Sequence, residues 1–168
     1  MKLILAMAAL IASCGPARPM KYECPVSITA MTFHGEFELD CTVVEQNVRL
    51  AQRILYEHGL ETPREFEDLY RGMNVYIYDE DYLSYDLKSD SYVVGFYMSG
   101  RGIETTRDGL SLLHELLHHL DAVYLQIGTA WHEGWTTNGY HEADLEYWQT
   151  AIPYKTTNYR WSGPGEYR

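Results

Sequence analysis

The chain has few cysteines, few prolines and, above all, few basic residues. Its 168 residues hold 3 cysteines and 6 prolines, and 13 lysines plus arginines stand against 24 aspartates plus glutamates. The resulting formal net charge of −11 has the wrong sign for a protein that works by neutralising phosphates, so nucleic acid is not an expected partner. So little proline, with only 13 glycines, excludes collagen-like and low-complexity classes, and no internal repeat is visible. What the chain does have is 46% hydrophobic and 14% aromatic residues, enough for one globular core. A chain of this size buries roughly two-thirds of its unfolded surface, so it needs neither a metal nor a disulfide merely to close. Any metal site is therefore there for chemistry.

The N-terminus is the one long apolar stretch. Met1-Lys2 precedes an uninterrupted apolar run from Leu3 to Ala12 with Ser13 behind it, too short to span a bilayer as a stable helix and patterned as a secretion signal over residues 1–13. Ile11-Ala12-Ser13-Cys14 resembles the bacterial lipoprotein processing box. That resemblance implies that Cys14 becomes a lipidated N-terminus anchoring the chain to a membrane of the bacterial cell envelope, outside the cytoplasm. Residues 14–20, with Pro16 and Pro19, read as a short tether, and 21–168 as the domain. Two cysteines remain, Cys24 and Cys41. An even pair in an exported chain is expected to form a disulfide, and neither has a second sulfur or histidine at metal-ligand spacing.

Within the domain, Ser27–Phe33 and Glu36–Leu39 alternate polar with apolar residues, which predicts a hairpin turning at His34-Gly35. Thr42 and Glu45 have capping-box spacing, and Val44, Val48, Ala51 and Leu55 follow at helical intervals until Gly59. Thr62-Pro63-Arg64-Glu65 opens a second, short helix. Met73–Tyr78 and Ser91–Met98 read as strands, with a third at Gly102–Thr105. The acidic linker from Asp79 to Asp90 lacks EF-hand spacing and is read as a turn rather than a calcium loop. A long helix is expected from Thr106 to about Gln126 and another from about Tyr140 to Ala151. From Ile152 on the tail should be irregular and pinned by aromatic side chains, with all 4 tryptophans at or beyond residue 131. The fold class expected is α+β, a small mixed or antiparallel sheet packed on a buried helix with flanking helices.

The chemistry is concentrated in His114-Glu115-Leu116-Leu117-His118, an H-E-x-x-H pattern that this composition would produce by chance only about 0.025 times. On a helix the two histidines lie about 40° apart, so both imidazoles can meet one tetrahedral Zn²⁺. Glu115, about 100° from His114, is placed to act as a general base instead of a ligand. Leu112, Leu113, Leu116, Leu117, Leu120 and Val123 form an adjoining apolar arc that buries the helix. Asp121 shares the face of His114 and is expected to fix a histidine tautomer by accepting its hydrogen bond. His119, about 140° from His114, is expected at the surface or boundary.

A catalytic zinc needs a third protein ligand and an open position. His132, in Trp131-His132-Glu133-Gly134-Trp135, is the first choice, with Trp131 and Trp135 walling the site. Glu142 is the second, and Glu133, His141 and Asp121 are further candidates. Around these residues the chain resembles the zincin metallopeptidases, through His114-Glu115-x-x-His118 on a helix preceded by strands. It departs from the metzincin extension, having Asp121 and Tyr124 where a glycine and a third histidine would stand. The resemblance implies a Zn²⁺ cofactor, a peptide or protein substrate lying along an edge strand, and attack by a water on the metal activated by Glu115. A following-helix glutamate is the usual third ligand in glutamate-type members, which is the ground for Glu142. Tyr140 or Tyr154 could assist as a hydrogen-bond donor. Two alternatives stay open: an amidase acting on cell-wall peptides by the same chemistry, and a non-catalytic peptide- or envelope-binding lipoprotein with a structural zinc site.

Overall fold

The computed structural model describes residues 19–87, 90–99, 101–107, 111–125, 140–156 and 161. Cys14, Trp131, His132, Glu133 and Trp135 lie outside the described residues. The architecture is α+β. Strands β1 (Tyr22–Val26), β2 (Met31–Gly35), β3 (Asn74–Tyr78), β6 (Gly95–Met98) and β7 (Gly102–Thr106) form one mixed sheet in the order β1-β2-β3-β7-β6. β2, β3 and β7 run parallel, and an antiparallel strand flanks them on each side. Short strands β4 (Ser84–Asp86) and β5 (Ser91–Val93) pair separately. Helices α1 (Cys41–Glu57) and α2 (Pro63–Leu69) make the crossover from β2 to β3, and α3 (Leu112–Leu120) and α4 (Tyr140–Thr156) complete the layer. α3 packs against β6, β7 and α4.

The sheet's inward row is Phe33–Val75–Ile103, aligned across β2, β3 and β7, and each of these residues is buried. Onto it pack Val44, Val48, Ala51, Ile54 and Leu55 of α1. Trp161 closes the core from the tail. It is fully buried, its ring 5.3 Å from that of Phe33, and its indole N–H donates to the Thr106 carbonyl at 3.2 Å. The expected pinning of the tail by an aromatic side chain is thus present at Trp161.

Several boundaries differ from those expected. The hairpin turns at Ser27–Ala30, with Ala30 at φ 52°, and His34 and Gly35 belong to β2. Gly35 serves close packing instead of a turn, because a Cβ there would lie 2.8 Å from the Leu39 side chain. α1 is capped by Asp40, which accepts from the Thr42 and Val43 amides, and Glu45 turns to Ser27 and Arg49. The Thr62–Glu65 capping box of α2 is as expected.

The strand expected over 91–98 is broken at Val94. The Val94 carbonyl accepts from the Thr106 amide at 3.0 Å and the Ser111 hydroxyl at 3.3 Å, bonds that tie it to β7 and the foot of α3. Part of the acidic linker is β4, which gives β5 its partner. The helix expected from Thr106 starts only at Leu112, since Thr106 ends β7, and beyond Leu120 it widens into a π-turn, Asp121–Leu125, that leaves Val123 exposed. The helix expected to stop at Ala151 continues to Thr156.

Cys24 and Cys41 are joined, with Cα atoms 5.2 Å apart, so β1 is stapled to the first residue of α1. A loop of 17 residues closed in the unfolded chain should contribute about 3 kcal/mol. The Cys24→Ser, Cys41→Ser double variant is expected to lose about that much stability in urea unfolding, and reductant should destabilise the parent by the same amount and the variant not at all. Alkylation of both thiols in the native protein without reductant would overturn the bridge.

Candidate active site

α3 is fixed at its foot. Ser111 does not cap the helix with its side chain; its hydroxyl instead bonds Thr105 at 2.5 Å and the Val94 carbonyl at 3.3 Å, fastening the first turn to β7 and to the break before β6. From there Leu112, Leu113, Leu116, Leu117 and Leu120 are buried. This leucine arc sets the rotation of the helix, and the remaining positions follow from it. His114 and His118, one turn apart, bring their rings edge to face with centroids 4.8 Å apart. Glu115 projects from the adjoining face, towards Gly95 of β6.

Glu115 is only 4% exposed. Burial pushes its carboxyl up to about 7; the His114 imidazole and a hydrogen bond from the Tyr97 backbone amide oppose the rise, and the Asp144 charge adds to it. The carboxyl fits there because residue 95 is glycine. A Cβ at Gly95 would lie 2.7 Å from the Glu115 Oε1 and 2.5 Å from the Ser111 Oγ, so any side chain on that position would displace the acid or lift the helix. A carboxyl titrating near neutrality, wedged between the helix that carries His114 and His118 and an edge strand, is equipped to take a proton and release it again.

The histidine side of α3 faces α4. Tyr140, Ala143, Asp144 and Tyr147 make the buried stripe of that helix. From it Asp144 reaches back to His114, with Oδ2 3.4 Å from Nδ1, while its Oδ1 is buried with no hydrogen-bond partner among the described residues. Burial pulls the His114 pKa down, but the Asp144 hydrogen bond and the Glu115 and Asp144 charges outweigh it, and the net shift is upward. Asp144 is a further candidate for the site, which neither the His132 nor the Glu142 expectation includes. Its signal was the stripe at 140, 143, 144 and 147, which places Asp144 on the core side.

Glu142 lies about 200° from Asp144 around the helix and is exposed, so it does not face the histidines. His141 is half-buried. Asp121 is buried at the start of the π-turn, where its amide donates to the carbonyls of Leu117 and His118, and its charge acts on Tyr140. Tyr140 is also buried, with its pKa raised first by burial and then by Asp121 and Glu61. His119 is half-buried and structural. Its Nε2–H donates to the Leu69 carbonyl and its Nδ1 accepts from the Tyr97 hydroxyl, both at 3.0 Å, and burial holds its pKa down.

Among the described residues no three histidine, cysteine or acidic side chains converge in a group able to hold a metal. The donors that do meet suit zinc in kind: two imidazoles on one helix face, and a buried carboxylate bonded to one of them with an oxygen to spare. No family model, curated protein or solved structure matches the chain.

Proposed function

We propose that the chain is a zinc-dependent peptidase of zincin type, tethered by Cys14 outside the cytoplasm of a bacterium. The observation that carries this reading is the division of labour on α3. One face presents the paired imidazoles of His114 and His118, and the neighbouring face buries the Glu115 carboxyl against β6 with its pKa near 7. A helix that needed these residues only for packing would gain nothing from burying an acid beside two imidazoles.

His114 and His118 would hold zinc, with His132 supplying the third protein contact and Asp144 supporting His114 from behind the ring. When bound, zinc supplies Lewis acidity to the scissile carbonyl and to water. Glu115 takes the proton of the attacking water on its carboxylate and returns it to the leaving amine. Asp144 accepts the His114 Nδ1 proton, which fixes the tautomer and leaves Nε2 as the donor atom. β6, at the edge of the sheet, would pair with the peptide backbone and align it beside Glu115. The Cys24–Cys41 bridge supports an oxidising compartment, in keeping with the export signal.

The test is metal content and peptide hydrolysis on purified ligand variants. Asp144→Ala is expected to weaken zinc binding about 10- to 100-fold, whereas Glu142→Ala should leave it at the parental value. If Asp144→Ala keeps parental zinc affinity, its contact with His114 serves packing alone. If the parent protein takes up no zinc, the peptidase reading falls.

A further inference from the structure

A cleft of about 210 Å³ opens beside β6, one helical turn along α3 from Glu115, and the proposed reaction does not use it. Its walls include Arg71, Arg101, Asn74, Tyr97 and His119, and among the described residues no acidic side chain lines it. In a chain carrying −11 this local excess of positive charge runs against the average. Arg71 shares its guanidinium with Asp68 at 3.0 Å, but Arg101 has no ion-pair partner among the described residues.

The floor is built to leave room. Gly72 and Gly102 take φ of 72° and 111°, and a Cβ on Gly102 would run into the Asn74 carbonyl, so only glycine lets these two segments meet. The polar walls are held in place. Asn74 Oδ1 accepts from His34 Nε2 at 2.9 Å, which leaves its amide NH₂ as a donor, and His119, bonded at both ring nitrogens, fixes the Tyr97 hydroxyl. His119 gives its Nε2–H to the Leu69 carbonyl and takes the Tyr97 hydroxyl at Nδ1, the pattern of a neutral imidazole, so the positive groups of the cleft are the two arginines.

Tyr97 connects this cleft to the site. Its side chain lines the cleft while its backbone amide bonds Glu115. A chain paired along β6 would therefore deliver a group into the cleft as its backbone passes the acid. We propose that the cleft is a carboxylate subsite, taking an acidic side chain or the terminal carboxylate of a peptide bound on β6 through Arg101, Arg71 and the Asn74 amide. A planar guanidinium suits a carboxylate because it offers paired donors. The subsite deepens the peptidase reading and rests on it for the placement of the peptide.

Calorimetric titration of the mature chain with four short blocked peptides tests it. One pair differs by Glu against Gln at a single position, the other by a free against an amidated C-terminus. The expected result is about tenfold tighter binding of one carboxylate member over its neutral twin, with the preference abolished by Arg101→Gln and largely restored by Arg101→Lys. Which pair shows the preference identifies the source of the carboxylate. Equal binding of both twins in both pairs overturns the subsite, and so does a preference that Arg101→Gln and Arg71→Gln leave intact. Hydrolysis without charge preference removes the subsite and keeps the peptidase. Carboxylate-selective binding without hydrolysis keeps the subsite and removes the peptidase.

Discussion

Replacing Glu115 with glutamine is expected to leave about one zinc per chain bound while peptide hydrolysis falls by two to four powers of ten, roughly the range for loss of a general base. Glutamine has the same length and still offers an oxygen to the Tyr97 amide, and it fits under Gly95 as the acid does. What it cannot do is accept a proton. The change keeps the length of the side chain and leaves the edge-to-face pair of His114 and His118 as it stands, so the proposed zinc donors should not be disturbed. His118→Ala should by contrast remove metal and activity together, since it takes away half of the imidazole pair. Undiminished hydrolysis in Glu115→Gln would exclude the proposed mechanism. Absence of hydrolysis in the parent, with zinc still bound, would favour a binding lipoprotein with a structural zinc.

The parts of this molecule that were legible in the sequence are those decided locally. The apolar spacing of Val44, Val48, Ala51 and Leu55, and the Thr62–Glu65 box, depend on neighbours within a turn or two, and both appear where expected. Within α3, the rotation that separates the histidines from Glu115 followed from the leucine arc alone. Features decided by distant partners are not legible in the local sequence. His34-Gly35 resembles a turn, but Leu39 demands the glycine and Asn74 and Tyr76 hold the histidine inside β2. Nothing in Ser91–Met98 announces a break at Val94, because the bonds that cause it come from Thr106 and Ser111. Glu142 follows from the zincin resemblance, which takes no account of which face of α4 is buried. The stripe through Tyr140, Ala143 and Tyr147 would have favoured Asp144.

Behind the site, a second buried acid sets how the fold responds to pH. Glu61 is 5% exposed; its Oε1 accepts the Tyr70 hydroxyl at 2.8 Å, and its Oε2 has no hydrogen-bond partner among the described residues. The same hydroxyl lies 3.0 Å from the Leu116 carbonyl, so Glu61 and Tyr70 together brace the middle of α3. Burial raises the Glu61 pKa to about 7, against the smaller downward pull of the Tyr70 hydrogen bond, with the Glu65 charge adding to the rise. Because the native state holds this proton more tightly than the unfolded chain, its contribution is fully present below the unfolded value of 4.5 and is lost as pH climbs to about 7. The loss amounts to about 3 kcal/mol at most, at 1.36 kcal/mol per pKa unit. Glu61→Gln cannot ionise. It is therefore expected to flatten the fall in stability between pH 4.5 and 7, measured by urea unfolding across that range beside the parent, whatever constant offset the new amide introduces. Parallel stability curves for parent and variant would show that Glu61 titrates alike in both states, and that the acid behind α3 is not held in its neutral form.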